Sequence, residues 1–254
     1  MPLPDLIPRS VLFGNPDHTS PSVSPDGSRL GWVAPEDGVL NVWVAPRDGS
    51  APARAVTHDR DRGVRTYAFC QDDRHLLYLQ DTAGDENWRL YLLDLTAGPD
   101  AEPRLVTPGE GIQARILGHN RWHPRTVLIG MNDRTPQLYD VHALDLATGE
   151  LSLVAENPGF MDWLIDSDLA VRGGHTMAPD GSATVHLGRD GDYQPYLEIP
   201  ADDAASTGVM GFTRSGAVLV LSSIGVNATR LERHDLDAGT LTVRRALQRL
   251  SDHL

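Results

Sequence analysis

The string Asp-Leu-x-x-Gly occurs three times in this chain, as Asp94-Leu95-Thr96-Ala97-Gly98, Asp145-Leu146-Ala147-Thr148-Gly149 and Asp235-Leu236-Asp237-Ala238-Gly239. Two shorter versions, Arg47-Asp48-Gly49 and Arg189-Asp190-Gly191, fall in the gaps. The marker aspartates therefore stand at 48, 94, 145, 190 and 235, spaced by 46, 51, 45 and 45 residues. A period in the mid-forties without helical periodicity inside the unit is the mark of four-stranded propeller blades. A solenoid of helix pairs would show a 3.6-residue pattern instead. The expected fold class is all-β, a propeller of about five blades of the TolB or WD40 kind.

Each unit repeats one internal order: a turn, an apolar strand, a polar loop, a strand ending at the marker, then another turn and strand. In the second unit these are Gln71-Asp72-Asp73, His75 to Gln80, Asp81 to Glu86 and Asn87 to Leu95. Trp88, Leu90 and Leu92 alternate there with Arg89, Tyr91 and Leu93, so both sheet faces are substantially apolar, as in a blade packed between two others. Asp26-Gly27, Asp48-Gly49, Thr148-Gly149, Asp180-Gly181 and Asp190-Gly191 supply the positive φ of tight turns. No helix follows them, so they are not phosphate cradles. The blades are expected at about 20–59, 60–108, 109–158, 159–200 and 201–247, after a segment 1–19 and before a tail 248–254. Ala246, Leu247, Leu250 and Leu254 recur at helical spacing, which fits a short end helix or a frayed tail. The five tryptophans, at 32, 43, 88, 122 and 163, are expected to fill wedges between blades.

Charge narrows the partners. The net charge is −13 and all 22 basic residues are arginine, leaving no basic stripe for nucleic acid or an anionic membrane. No apolar run reaches the roughly 20 residues of a membrane helix. The start, Met1-Pro2-Leu3-Pro4-Asp5, has neither the basic nor the apolar region of a signal peptide, and the lone Cys70 has no disulfide partner. A cytoplasmic protein is expected.

The opening Ile7-Pro8-Arg9-Ser10-Val11-Leu12-Phe13-Gly14-Asn15-Pro16, followed by Ser20-Pro21-Ser22-Val23-Ser24-Pro25-Asp26-Gly27, resembles the start of bacterial prolyl oligopeptidase family serine peptidases. The resemblance is to the acylaminoacyl-peptidase-like and dipeptidyl-peptidase-like branch. It continues through Leu77-Tyr78-Leu79-Gln80-Asp81, Gly84-Asp85-Glu86-Asn87-Trp88-Arg89-Leu90-Tyr91 and Asn132-Asp133-Arg134-Thr135-Pro136-Gln137-Leu138-Tyr139-Asp140-Val141, so it runs collinearly from about residue 7 to about 243. In that family a propeller, usually of seven blades, sits over an α/β-hydrolase domain with a Ser-Asp-His triad and restricts access to short peptides. The present sequence departs from that plan. It stops after about five blades and contains no Gly-x-Ser-x-Gly nucleophile elbow. The hydrolase domain is therefore expected to be missing and supplied in cis or in trans.

No catalytic residue is expected, because no serine sits on a strand-to-helix elbow beside a base. No metal or cofactor is expected either: the ten histidines are scattered along the chain, and Cys70 has no second thiol. The substrate-facing candidates are Asp85, Glu86, Asn87 and Arg134. Asp85-Glu86-Asn87 reads either as an acidic patch that takes a peptide amine by charge-assisted hydrogen bonds or as a turn capped by its own side chains. Arg134 reads either as a fork for a carboxylate across the missing interface or as one half of an ion pair within its blade. Two functions compete. One is a non-catalytic, substrate-gating propeller portion of a serine peptidase acting on short peptides. The other is a free-standing propeller that presents proteins or peptides on one rim. An incomplete set of blades would also expose apolar faces and favour self-association.

Overall fold

In the computed structural model of the chain, residues 6–14, 16–99 and 101–236 are described. A short helix, α1 (Arg9–Phe13), precedes a succession of antiparallel sheets. The first contains β1 (Thr19–Val23), β2 (Arg29–Glu36), β3 (Val39–Pro46) and β4 (Arg54–Ala55). The second contains β5 (Thr66–Phe69), β6 (His75–Gln80), β7 (Arg89–Asp94) and β8 (Arg104–Leu105). The third contains β9 (Ala114–Gly118), β10 (Thr126–Thr135), β11 (Leu138–Asp145) and β12 (Glu150–Ala155). The fourth contains β13 (Asp162–Ile165), β14 (Val171–Met177), β15 (Ala183–Arg189) and β16 (Asp192–Ile199). The fifth shows β17 (Gly208–Phe212), β18 (Val218–Ser222) and β19 (Arg230–His234).

Within every sheet the strands follow one another in chain order, which is the up-and-down pattern of a propeller blade. The end of the fifth blade and the 246–254 helical pattern lie outside the described residues. Among those residues no helix is long and apolar enough to cross a membrane.

The marker aspartates 48, 94, 145 and 190 fall where the third strand of a blade turns into the fourth, and Asp235 directly follows the third strand of the fifth sheet. The reason is conformational. At Asp190-Gly191 both residues have positive φ, 52° and 88°, and Arg189 pairs with Asp192 across them, so two residues close the hairpin. Asparagine, aspartate and glycine are the residue types that accept this geometry at least cost.

The chain divides into two compact units. The first comprises the described residues up to Arg115 together with Leu146–Glu150; the second comprises Ile116–Asp145 and the described residues from Leu151 onward. In the first unit a core of Val33, Val42, Val44, Val56, Val64, Phe69, Leu76, Tyr78, Leu93 and Leu95 joins the first two sheets. The fit is close at Gly31 of β2: a Cβ there would stand 2.8 Å from Phe69 Cε2 and 3.0 Å from the Tyr67 hydroxyl on β5. Polar contacts cross the same seam. Ser22 Oγ and the Tyr67 hydroxyl are 2.8 Å apart, the Asp26 N–H donates to Asp73 Oδ1 at 2.8 Å, and Arg29 Nη1 donates to the Asp73 carbonyl at 2.7 Å.

In the second unit Leu128, Val141 and Val171 form one cluster, and Ala183, Val185 and Ile199 form another. Trp163 packs edge-on to Phe160 and donates its indole N–H to the Tyr139 carbonyl at 2.6 Å. It is the tryptophan that best fits the expected wedge-filling role. Trp122, by contrast, is 45% exposed beneath the Arg214 guanidinium. The buried cluster at the seam in the first unit is built from valine, leucine, phenylalanine and tyrosine and contains no tryptophan.

Gly31→Ala is expected to overpack the seam and destabilise the protein by about 1 to 3 kcal/mol. Chemical denaturation checks this, and an unchanged midpoint would contradict the close approach.

Candidate functional site

The loop 81–88 between β6 and β7 carries three of the four candidate residues, and the side chain of Asp85 builds it. Asp85 Oδ1 accepts the N–H of Thr82 and that of Asn87, each at 3.1 Å. Its Oδ2 accepts Asn87 Nδ2 at 3.3 Å and Arg89 Nη2 at 3.0 Å. Arg89 also reaches the Thr82 hydroxyl, closing a small ring of contacts. The Thr82 N–H, with Asn87 and the Arg89 charge behind it, holds the Asp85 carboxyl below the usual carboxylate range.

Glu86 has a different place in the loop. It takes a left-handed backbone, φ 56°, which costs a non-glycine residue roughly 1 to 2 kcal/mol. Its carbonyl accepts the Trp88 N–H at 3.1 Å and Gln113 Nε2 at 3.0 Å. The Glu86 side chain is exposed, and its carboxylate has no hydrogen-bond partner among the described residues. Asp85 thus shapes the turn, while Glu86 presents an uncommitted charge.

Asp81, at the root of the loop, was not singled out from the sequence. It is 4% exposed, its Oδ2 accepts no hydrogen bond, and Arg62 Nε stands 3.9 Å away, beyond hydrogen-bonding distance. The only sequence signal was an acid placed directly at the end of an apolar strand.

Arg134 lies on β10 in the third sheet. It grips Asp140 of β11 with two nitrogens, Nε to Oδ2 at 2.7 Å and Nη2 to Oδ1 at 2.8 Å, and Nη2 also donates to the Asn157 carbonyl at 3.1 Å. The Asp140 side chain is only 3% exposed and accepts the Asn157 N–H at 2.6 Å. Burial works to raise the Asp140 pKa, but the Arg134 fork and the Asn157 N–H outweigh it and hold the carboxyl below its ordinary range. The partner of Arg134 thus lies within its own sheet, and the Nη1 edge of the guanidinium is left over.

No protein-family model matches the chain. The solved structure of a puromycin hydrolase S511A mutant complexed with PGG superposes with a TM-score of 0.56 at 16% identity, covering 91% of this chain and 40% of that one. At that identity the likeness is one of fold, and it agrees with the succession of propeller blades.

Its sequence relatives are more particular. It is 39% identical to dipeptidyl aminopeptidase BIII of Pseudoxanthomonas mexicana over 242 residues, which cover 94% of this chain and 35% of the relative. It is 34% identical to dipeptidyl peptidase family member 6 of Caenorhabditis elegans, covering 83% of this chain and 30% of that protein. The chain therefore spans about a third of the length of the curated relatives it matches.

The Arg134 and Asp140 pair makes a pH prediction. Because the folded pKa of Asp140 is depressed, the pair's stabilisation is present above the unfolded carboxylate pKa and is lost as pH falls through the folded value. At neutral pH Asp140→Asn should destabilise the fold by about 1 to 3 kcal/mol, a range discounted for the partly exposed arginine. The gap between wild type and variant should narrow below about pH 4. Denaturation at neutral and acid pH measures it, and a gap independent of pH would contradict the assignment.

Proposed function

We propose that this chain is the non-catalytic, substrate-gating propeller portion of a prolyl oligopeptidase-type serine peptidase acting on short peptides, working with an α/β-hydrolase portion supplied in cis or by a partner chain. The observation that carries the reading is 39% identity along 94% of the chain to a dipeptidyl aminopeptidase of which the chain spans only 35%. The propeller's part is selection. A ring of blades over a hydrolase admits short, extended chains and turns folded ones away, while its loops supply charges that orient the substrate.

Glu86 is the group we assign to the substrate, since its carboxylate is exposed and uncommitted and would take the α-amine of a peptide. Asp85 and Asn87 act as positioning residues through the turn they close. The free Nη1 edge of Arg134 is suited to a substrate or interface carboxylate. Leu6, Ile7, Val11, Leu12 and Phe13 around α1 are 94, 62, 72, 58 and 80% exposed. We assign to them contact with the hydrolase portion, and without it self-association through the same apolar surface.

The isolated chain is expected to hydrolyse no dipeptidyl chromogenic substrate and to carry no serine labelled by a fluorophosphonate. In a chimera where it replaces the matching third of dipeptidyl aminopeptidase BIII, Glu86→Gln should raise KM about five- to tenfold and change kcat by less than about twofold, the pattern of lost uniform binding. A labelled serine in this chain, or a KM untouched by the substitution, would overturn the reading.

A further inference from the structure

A cleft of about 450 Å³ opens in the first unit, lined by Thr57, Asp59, Tyr78, Gln80, Tyr91 and Glu102 among others. Its size lies within the roughly 300 to 1,000 Å³ of small-molecule sites. Tyr78 of β6 and Tyr91 of β7 are opposed across the strand pair, with ring centroids 5.0 Å apart and planes at 9°. The Tyr78 ring is buried, the residue being only 3% exposed, while its hydroxyl has no hydrogen-bond partner among the described residues, is not one of the sealed polar atoms, and belongs to a residue lining this cleft. A tyrosine hydroxyl held by a buried ring and opening unpaired onto a cleft is placed to hydrogen-bond a ligand there.

The chemistry of the walls is one-sided. Glu102 is exposed and its carboxylate has no partner, and Gln80 is likewise uncommitted. Asp59 is fixed by Asn41, which accepts the Asp59 N–H at 2.8 Å and donates to the Asp59 carbonyl at 3.0 Å, and its Oδ2 accepts the Gly63 N–H, so Oδ1 is the oxygen left for a ligand. No arginine lines the cleft, and His58 is already paired with Glu36 at 2.9 Å. Burial, then the neighbouring Tyr91, Asp59 and Glu102, push the Tyr78 phenol up, as expected where local charge is negative.

We propose that this cleft is a binding site for a guanidinium group, with the carboxylates of Asp59 and Glu102 providing the charge and the hydroxyls of Tyr78 and Tyr91 accepting hydrogen bonds. A guanidinium offers five donors in a fixed plane, which suits several separated acceptors better than the compact ammonium does. The site is separate from the loop that carries Glu86, and its fate does not depend on the peptidase reading.

The test is a titration of the 254-residue chain with L-argininamide and with the neutral isostere L-citrullinamide, followed by calorimetry. Saturable binding of argininamide and none of citrullinamide is expected. Glu102→Gln should weaken binding about threefold and Tyr78→Phe about fivefold, with circular dichroism confirming that both fold. Glu110→Gln, a charge loss outside the cleft, should leave binding unchanged. An acetylated and amidated Gly-Gly-Arg-Gly-Gly peptide distinguishes sources: tighter binding than argininamide assigns the cleft to an arginine within a peptide, and exclusion of the peptide assigns it to a free small molecule. Equal binding of citrullinamide, no saturation, or affinity insensitive to both cleft substitutions would overturn the proposal.

Discussion

The handover of the chain from one blade to the next depends on how the end of each third strand is satisfied. In the first sheet the outgoing segment runs back along β3, with the Val56 N–H on the Val42 carbonyl at 2.8 Å, the Val42 N–H on Thr57 Oγ1 at 2.9 Å and the Val64 N–H on the Leu40 carbonyl at 2.7 Å. The second sheet repeats the pattern residue for residue. There the Val106 N–H meets the Leu90 carbonyl at 2.8 Å, the Leu90 N–H meets Thr107 Oγ1 at 2.6 Å and the Ala114 N–H meets the Trp88 carbonyl at 2.8 Å. A threonine hydroxyl thus takes up a strand N–H that would otherwise be buried unpaired, at a cost of about 1 to 3 kcal/mol. The same bonds fix the direction in which the chain leaves the blade.

This constraint explains the fate of the candidate residues. The residue just before the buried valine or leucine of each third strand is Asn41 in the first sheet, Arg89 in the second and Asp140 in the third. Asn41 accepts the Asp59 N–H and Asp140 accepts the Asn157 N–H, so both anchor the outgoing segment. Arg89 instead turns to Asp85 and braces the loop that presents Glu86. Arg134 is tied to Asp140 because a carboxylate at an anchoring position, 3% exposed, needs a counter-charge. The arrangement of the outgoing segment also forms a wall of the tyrosine cleft, through Thr57 and Asp59.

Much of the fold was legible because the markers obey backbone geometry. An Asp-Gly or x-x-Gly sequence at a strand end demands positive φ whatever surrounds it, and Gly49, Gly149 and Gly191 have it. The alternation in β7 likewise placed Leu90, Leu92 and Leu93 in buried positions. The site was less legible. Whether Asp85 faced a substrate or its own turn depended on the rotamers of Thr82, Asn87 and Arg89, and no spacing encodes those. The partner of Arg134 lies six residues on, across a hairpin whose register shifts between Met131 and Thr135, so strand alternation could not identify it. The wedge-filling role expected of tryptophan failed at Trp122, since side-chain size alone does not say which way a loop residue points.

The central claim is that these blades select substrate for a hydrolase. The most direct measurement mixes this chain with the separately expressed remaining two-thirds of dipeptidyl aminopeptidase BIII and follows cleavage of short and long unstructured peptides, with sedimentation to detect the complex. The account predicts a one-to-one complex that cleaves short peptides while its turnover of long ones falls well below that of the hydrolase portion alone. Absence of a complex, or a complex that cleaves long and short peptides alike, would contradict it.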